Sequence, residues 1–152
     1  MHKAWVDLIR QELVNKEYDH ILRLIDEIRD RICGLTPHRI DLHESLRTSV
    51  DIPFIKQMLD HNVYGPNEFK TLIDVFLDRI LLLQAPAHRS QATDLKQLAH
   101  AQLDTPQWGI YIPELFLGVN KLVDQIEEGI KAFYAQINPT NPTNPTPSPS
   151  TP

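Results

Sequence analysis

The chain has 152 residues, a formal net charge of −5, one cysteine and seven histidines. The acidic balance argues against nucleic-acid partners, because proteins that follow a phosphate backbone usually carry a basic field. A single cysteine, Cys33, excludes an internal disulfide, and the longest apolar run, Ile80–Leu83, is far too short for a membrane span. We therefore expect an intracellular and most simply cytoplasmic protein.

Apolar residues recur at helical spacing throughout the first half of the chain. Gly34 and Pro37 are expected to end the second helix, because neither residue favours its continuation. Asp51 is the expected N-cap of the fourth helix, and Pro53 fits in its first turn. The periodicity predicts helices over about 3–14, 17–33, 38–47 and 51–60.

The strongest apolar face belongs to a fifth helix, which is predicted to begin at Pro66 or Asn67 and to form the centre of the core. Pro86 closes it, and a weaker sixth helix covers about 90–103. A seventh helix is predicted with Thr105 as its N-cap and Pro106 at its first position. Pro113 should divide it into a short piece and a long piece, because proline breaks the helical hydrogen bonding.

No segment alternates between apolar and polar residues as a half-buried strand would. The sequence therefore predicts an all-α fold, an irregular bundle of about six to seven helices over residues 1–137. The remaining residues, 138–152, are only Asn, Pro, Thr and Ser. They cannot bury enough apolar surface to offset the entropy of ordering, so a disordered tail is expected there.

The tail repeats Asn-Pro-Thr, and its regularly spaced prolines favour polyproline II, a form that aromatic grooves bind. Proline follows three hydroxyl residues, which are candidates for proline-directed phosphorylation: Thr146, Ser148 and Thr151. An inert solubilising tail is the simpler alternative.

No catalytic, metal-binding or cofactor-binding pattern occurs along the chain. The histidines lack the spacing of metal ligands, and Cys33 lacks a recognisable base, so it is expected to be an ordinary buried cysteine. Glycine-rich phosphate loops are also missing from the sequence. We expect no metal, no cofactor and no enzymatic activity.

Two loops carry a His-Arg pair directly after a predicted helix end. His38-Arg39 follows Pro37, and His88-Arg89 follows Pro86-Ala87. An arginine guanidinium is a planar fork suited to carboxylate or phosphate, so these four residues are candidates for binding a protein partner. Alternatively, the cations complement the carbonyl ends of the preceding helices.

Five segments occur in the order found in the T-complex protein 11 family. The first predicted helix, which starts with Ala4-Trp5, and the second, which contains Tyr18-Asp19, resemble the start of the family's conserved region. Three further segments, each a loop or a helix start or end, then follow in the matching order: Leu35–Arg39, Val50–Gln57 and Leu83–Arg89. Asp104–Trp108 stands where the family begins another long helix. The resemblance covers the first part of the family's conserved region, so a short version of a family member is expected.

The resemblance implies an all-helical protein without catalysis. Family members are linked to cyclic-AMP and protein kinase A signalling, so it implies an intracellular adaptor or regulator with protein partners. The alternative is a structural accessory component of a larger assembly, such as a virus particle or a cytoskeletal complex.

Overall fold

The computed structural model describes residues 2–137, apart from the side chain of His2. Within that range the chain forms seven α-helices and two short 3-10 segments without any strand, which confirms the all-α prediction. The helices are α1 His2–Val14, α2 Asp19–Gly34, α3 Ile40–Ser49, α4 Ile52–Asp60, α5 Pro66–Leu83, α6 Arg89–Leu103 and α7 Ile112–Ile137. The 3-10 segments are Pro86–His88 and Trp108–Tyr111.

Local sequence signals set several helix starts as predicted. The Asp51 carboxylate accepts a hydrogen bond from the backbone N–H of Phe54 at 3.2 Å, so Asp51 is the N-cap of α4. At the start of α5, the backbone N–H of Gly65 donates to Glu68 Oε1 at 2.7 Å, and Pro66 follows at the first helical position. These contacts satisfy groups that the helix itself leaves unpaired.

The predicted cap at Thr105 is wrong. Its hydroxyl donates to the Gln102 carbonyl at 2.8 Å, so Thr105 belongs to the turn that ends α6. A 3-10 segment intervenes, and α7 begins only at Ile112. Pro113 is then the second residue of α7, where a missing N–H leaves no helical bond unmade. The predicted division into a short and a long piece is confirmed.

Helix α2 ends at Gly34, as predicted, but not through the usual glycine stop. No described glycine has the left-handed conformation that such a stop adopts. The helix instead ends in a tight turn, in which the Leu35 N–H donates to the Ile32 carbonyl at 3.1 Å.

Two helices share the centre of the core. Phe69 and Phe76 of α5 meet Phe116 of α7 edge to face, with ring centroids 6.2 and 6.4 Å apart, respectively. All three rings are at most 1% exposed. Since α7 also packs against α1, α2 and α6, the central position predicted for α5 alone belongs to α5 and α7 together.

Arg31 ties α2 to α7. Its guanidinium donates to Asn120 and Asp124 and, at 2.7 Å, to Glu127. Burial lowers the pKa of Arg31, but the two carboxylates outweigh that effect and raise it. Beyond this anchor α7 leaves the body of the protein, because residues 131–137 are all exposed.

Candidate protein-binding surface

The first predicted pair, His38 and Arg39, lies on the surface just before α3. Arg39 forms a two-pronged ion pair with Asp41, with Nε–Oδ1 and Nη2–Oδ2 distances of 3.0 and 2.8 Å. This hydrogen bonding holds the pKa of Asp41 at about 2, well below its ordinary value. Arg39 is therefore already engaged by a carboxylate of its own loop.

The second predicted pair, His88 and Arg89, lies where the 3-10 segment Pro86–His88 meets α6. Both residues are exposed. Arg89 is the first residue of α6, and none of the described side chains accepts a hydrogen bond from it. Arg39 and Arg89 thus both stand at helix starts, and His88 is the last residue of the 3-10 segment.

A concave feature near these loops lies between the α5–α6 connection and the second half of α7. We call it the α7 groove. It has a volume of about 460 Å³. Among the described residues its lining contains no Asp, Glu, Lys or Arg, and His88 is the one side chain there that could carry a charge. The lining residues are Leu35, Leu83, Gln84, Ala85, His88, Gln125, Ile126, Gly129, Ile130, Phe133 and Tyr134.

Gln84 is the unusual residue of the α7 groove. Gln84 is only 8% exposed, and neither its amide nitrogen nor its amide oxygen has a hydrogen-bond partner among the described residues. A buried polar group without a partner destabilises a fold by about 1–3 kcal/mol. Such a group in the wall of a groove is consistent with a ligand that supplies the missing hydrogen bonds.

Two aromatic side chains form the outer rim. Phe133 and Tyr134 are 57% and 60% exposed, and their rings meet edge to face with centroids 5.9 Å apart. Phe133 continues the apolar periodicity of α7, but it is exposed because residues 131–137 lie beyond the packed part of the helix. Adjacent exposed aromatic residues are typical of protein interaction sites.

A neighbouring depression extends this surface to the other predicted loop. It shares Leu35, Ile130 and Tyr134 with the α7 groove. Pro37 and Gly34 also line it, so the α2–α3 connection borders the end of α7 as well. The structure therefore brings both predicted loops to one surface, although His38 and Arg39 themselves do not line it.

A second apolar pocket, of about 310 Å³, lies near the start of α7. Tyr64 meets Phe69 at 4.8 Å and Phe69 meets Trp108 at 5.9 Å between ring centroids. Burial raises the pKa of the Tyr64 hydroxyl. Because these rings continue the core packing of Phe69, they have a structural explanation that Gln84 lacks.

The cysteine and several histidines have ordinary structural environments. Cys33 is buried, as expected. His43 and His61 lie 2.7 and 2.8 Å from backbone carbonyls, and His100 lies 2.8 Å from Asp74. Across residues 2–137 no group of three His, Cys, Asp or Glu side chains is placed to hold a metal ion. No helix in the same range is both long and apolar enough to cross a membrane.

The candidate phosphorylation sites Thr146, Ser148 and Thr151 lie outside the described residues. In comparisons with known proteins, the sequence model of one family, described as T-complex protein 11, matches residues 1–128. Searches of curated proteins and of solved structures gave no significant match. The matched range contains the α5–α6 connection and the first part of the α7 groove, but it ends before Phe133 and Tyr134.

Proposed function

The chain belongs to the T-complex protein 11 family, and we propose that it is a non-enzymatic helical adaptor that holds a segment of a protein partner in the α7 groove. The observation that carries this proposal is that one groove contains both the buried Gln84 amide, which has no hydrogen-bond partner among residues 2–137, and the exposed rings of Phe133 and Tyr134. The family is not one of known enzymes, which agrees with the absence of a catalytic pattern in the sequence.

The chemistry of the groove favours a peptide over a small charged metabolite. A phosphate or carboxylate needs a cation, and the lining has only His88 as a possible one. A peptide backbone, by contrast, offers a carbonyl and an N–H to the glutamine amide, which has one group of each kind. The aromatic rim adds apolar contact area that loses little side-chain entropy on binding.

Within the adaptor proposal, the family resemblance suggests a role in cyclic-AMP and protein kinase A signalling, inside the cell. His38, Arg39, His88 and Arg89 would border the bound partner and not fill its centre. Phosphorylation of Thr146, Ser148 or Thr151 in the tail 138–152 would then adjust binding by adding negative charge beside an uncharged groove.

Partner capture from a native cell extract, with quantitative mass spectrometry, tests the adaptor proposal. The full chain is compared with Tyr134→Ser and with Phe54→Ser. Phe54 is 56% exposed, a fraction similar to the 60% of Tyr134. It lies on α4 and does not line the α7 groove. We expect specific partners to be lost with Tyr134→Ser and retained with Phe54→Ser. Equal capture by all three chains would refute the groove as the binding site.

The identity of the captured proteins tests the signalling part separately. Sub-stoichiometric kinase or kinase-regulatory proteins would support it. Fixed-stoichiometry components of a large particle or filament would instead support the structural alternative, and the signalling role would be abandoned. The purified full chain should also change the cyclic-AMP concentration that half-activates protein kinase A, whereas Tyr134→Ser should not. An unchanged activation curve would contradict a direct effect on this kinase.

A further inference from the structure

We propose that the α7 groove also binds the chain's own C-terminal segment, Asn138–Pro152, which then competes with the protein partner. This inference rests on the proposed role of the groove as a peptide-binding surface. The second ligand of that surface is an uncharged, proline-rich segment of the same chain.

The segment starts next to the groove and is long enough to enter it. Helix α7 ends at Ile137, one turn beyond Tyr134. Between Gln125 and Tyr134 the helix rises roughly 14 Å at about 1.5 Å per residue. An extended proline-rich segment advances about 3.1 Å per residue, so roughly five residues span that distance. The rest of Asn138–Pro152 is available to reverse the chain direction after α7.

The α7 groove and the segment Asn138–Pro152 are compatible in charge. Within residues 2–137 the lining of the α7 groove has no acidic side chain, no lysine and no arginine. The segment consists only of Asn, Pro, Thr and Ser, and therefore has no charged side chain either. Neither partner needs to bury an unpaired charge when they associate, which would oppose binding.

The hydrogen-bonding groups and the rings also match. In a polyproline II segment the backbone carbonyls have no partners within the segment. The Gln84 Nε2 group can donate to such a carbonyl, and its Oε1 can accept from the N–H of an Asn or Thr. Because both amide atoms are covered, Gln84 must rotate towards the groove surface to do so. Proline rings can pack on Phe133 and Tyr134, as they do in aromatic peptide-binding grooves.

A spin label in the segment tests the proposal in the full chain. The label is attached to Asn144→Cys in a Cys33→Ala background, and amide signals are compared by NMR before and after reduction of the label. We expect loss of signal at Ala85, Gly129 and Tyr134 and no loss at Phe54. Adding Tyr134→Ser to the labelled chain should restore the groove signals.

The contrary outcomes are distinct. Groove signals that keep their intensity in the labelled chain would overturn the inference. A loss that disappears on dilution, or that appears in an unlabelled copy mixed with a labelled one, would overturn intramolecular binding, because the segment would then occupy a second copy. Failure of the proposed function itself would show separately, as partner capture that Tyr134→Ser leaves unchanged.

Discussion

Replacing Gln84 by methionine should stabilise the protein and weaken its binding at the same time. Gln84 is 8% exposed and both of its amide atoms lack partners within the described residues. Methionine has a similar length and a flexible apolar chain that adapts to irregular gaps. The variant Gln84→Met therefore removes the unpaired amide without creating a large cavity.

The expected gain follows from the cost of the unpaired amide. A buried polar group without a partner destabilises a fold by about 1–3 kcal/mol. Rotation of the glutamine towards solvent relieves part of that cost, so we expect a gain of about 1 kcal/mol in the free energy of unfolding. For a domain of this size that corresponds to roughly 2–4 °C in melting temperature.

Urea unfolding of the full chain, followed by circular dichroism, measures the difference. Gln125→Met is the matched control, because Gln125 lines the same groove but is exposed. We expect the control to change the free energy of unfolding by less than about 0.5 kcal/mol, as is usual for exposed positions.

A destabilised Gln84→Met protein would refute this reasoning. It would mean that the Gln84 amide forms hydrogen bonds that hold the α5–α6 connection in place. A stabilised variant that binds the C-terminal segment and the protein partner as strongly as the wild type would instead refute the proposed role of the amide in binding.

Three further variants test individual contacts. Arg31→Met should lower the free energy of unfolding by about 1–2 kcal/mol in denaturant titrations, because partly exposed charged hydrogen bonds between α2 and α7 are lost. An unchanged unfolding midpoint would show that these hydrogen bonds do not contribute to stability. Arg39→Ala should raise the pKa of Asp41 from about 2 towards an ordinary carboxyl value in an NMR titration. The Arg39–Asp41 pair contributes at neutral pH and is lost as the pH falls towards 2, so an unchanged titration would contradict the pairing. Asp51→Ala should cost about 1 kcal/mol by removing the cap of α4, whereas Asp51→Asn should retain most of it; equal losses in thermal melts would show that the cap is not the cause.

Local signals in the sequence were enough for most helix boundaries. Asp51 and Pro66 mark helix starts because their effects act within one turn, and Pro113 divides the last segment for the same reason. The cap predicted at Thr105 was wrong because a 3-10 segment intervenes between α6 and α7, and no cap residue signals such a segment.

The candidate surface was only partly visible in the sequence. The sequence singled out the two His-Arg pairs, but which helix their loops border depends on the packing of α7. Phe133 continues the apolar periodicity of α7, and only the tertiary structure shows that the helix has left the core there. Gln84 has no sequence signal, because its burial depends on how the α5–α6 connection packs beside α7.

Hydrogen exchange of the full chain, with and without its captured partner, tests most directly whether the α7 groove is the binding surface. We expect the partner to slow amide exchange in residues 83–88 and 125–134, while α3 and α4 exchange as in the unbound chain. Protection confined to α3, α4 or α6, with the end of α7 unchanged, would show that the partner binds elsewhere and would contradict the proposed function of the groove.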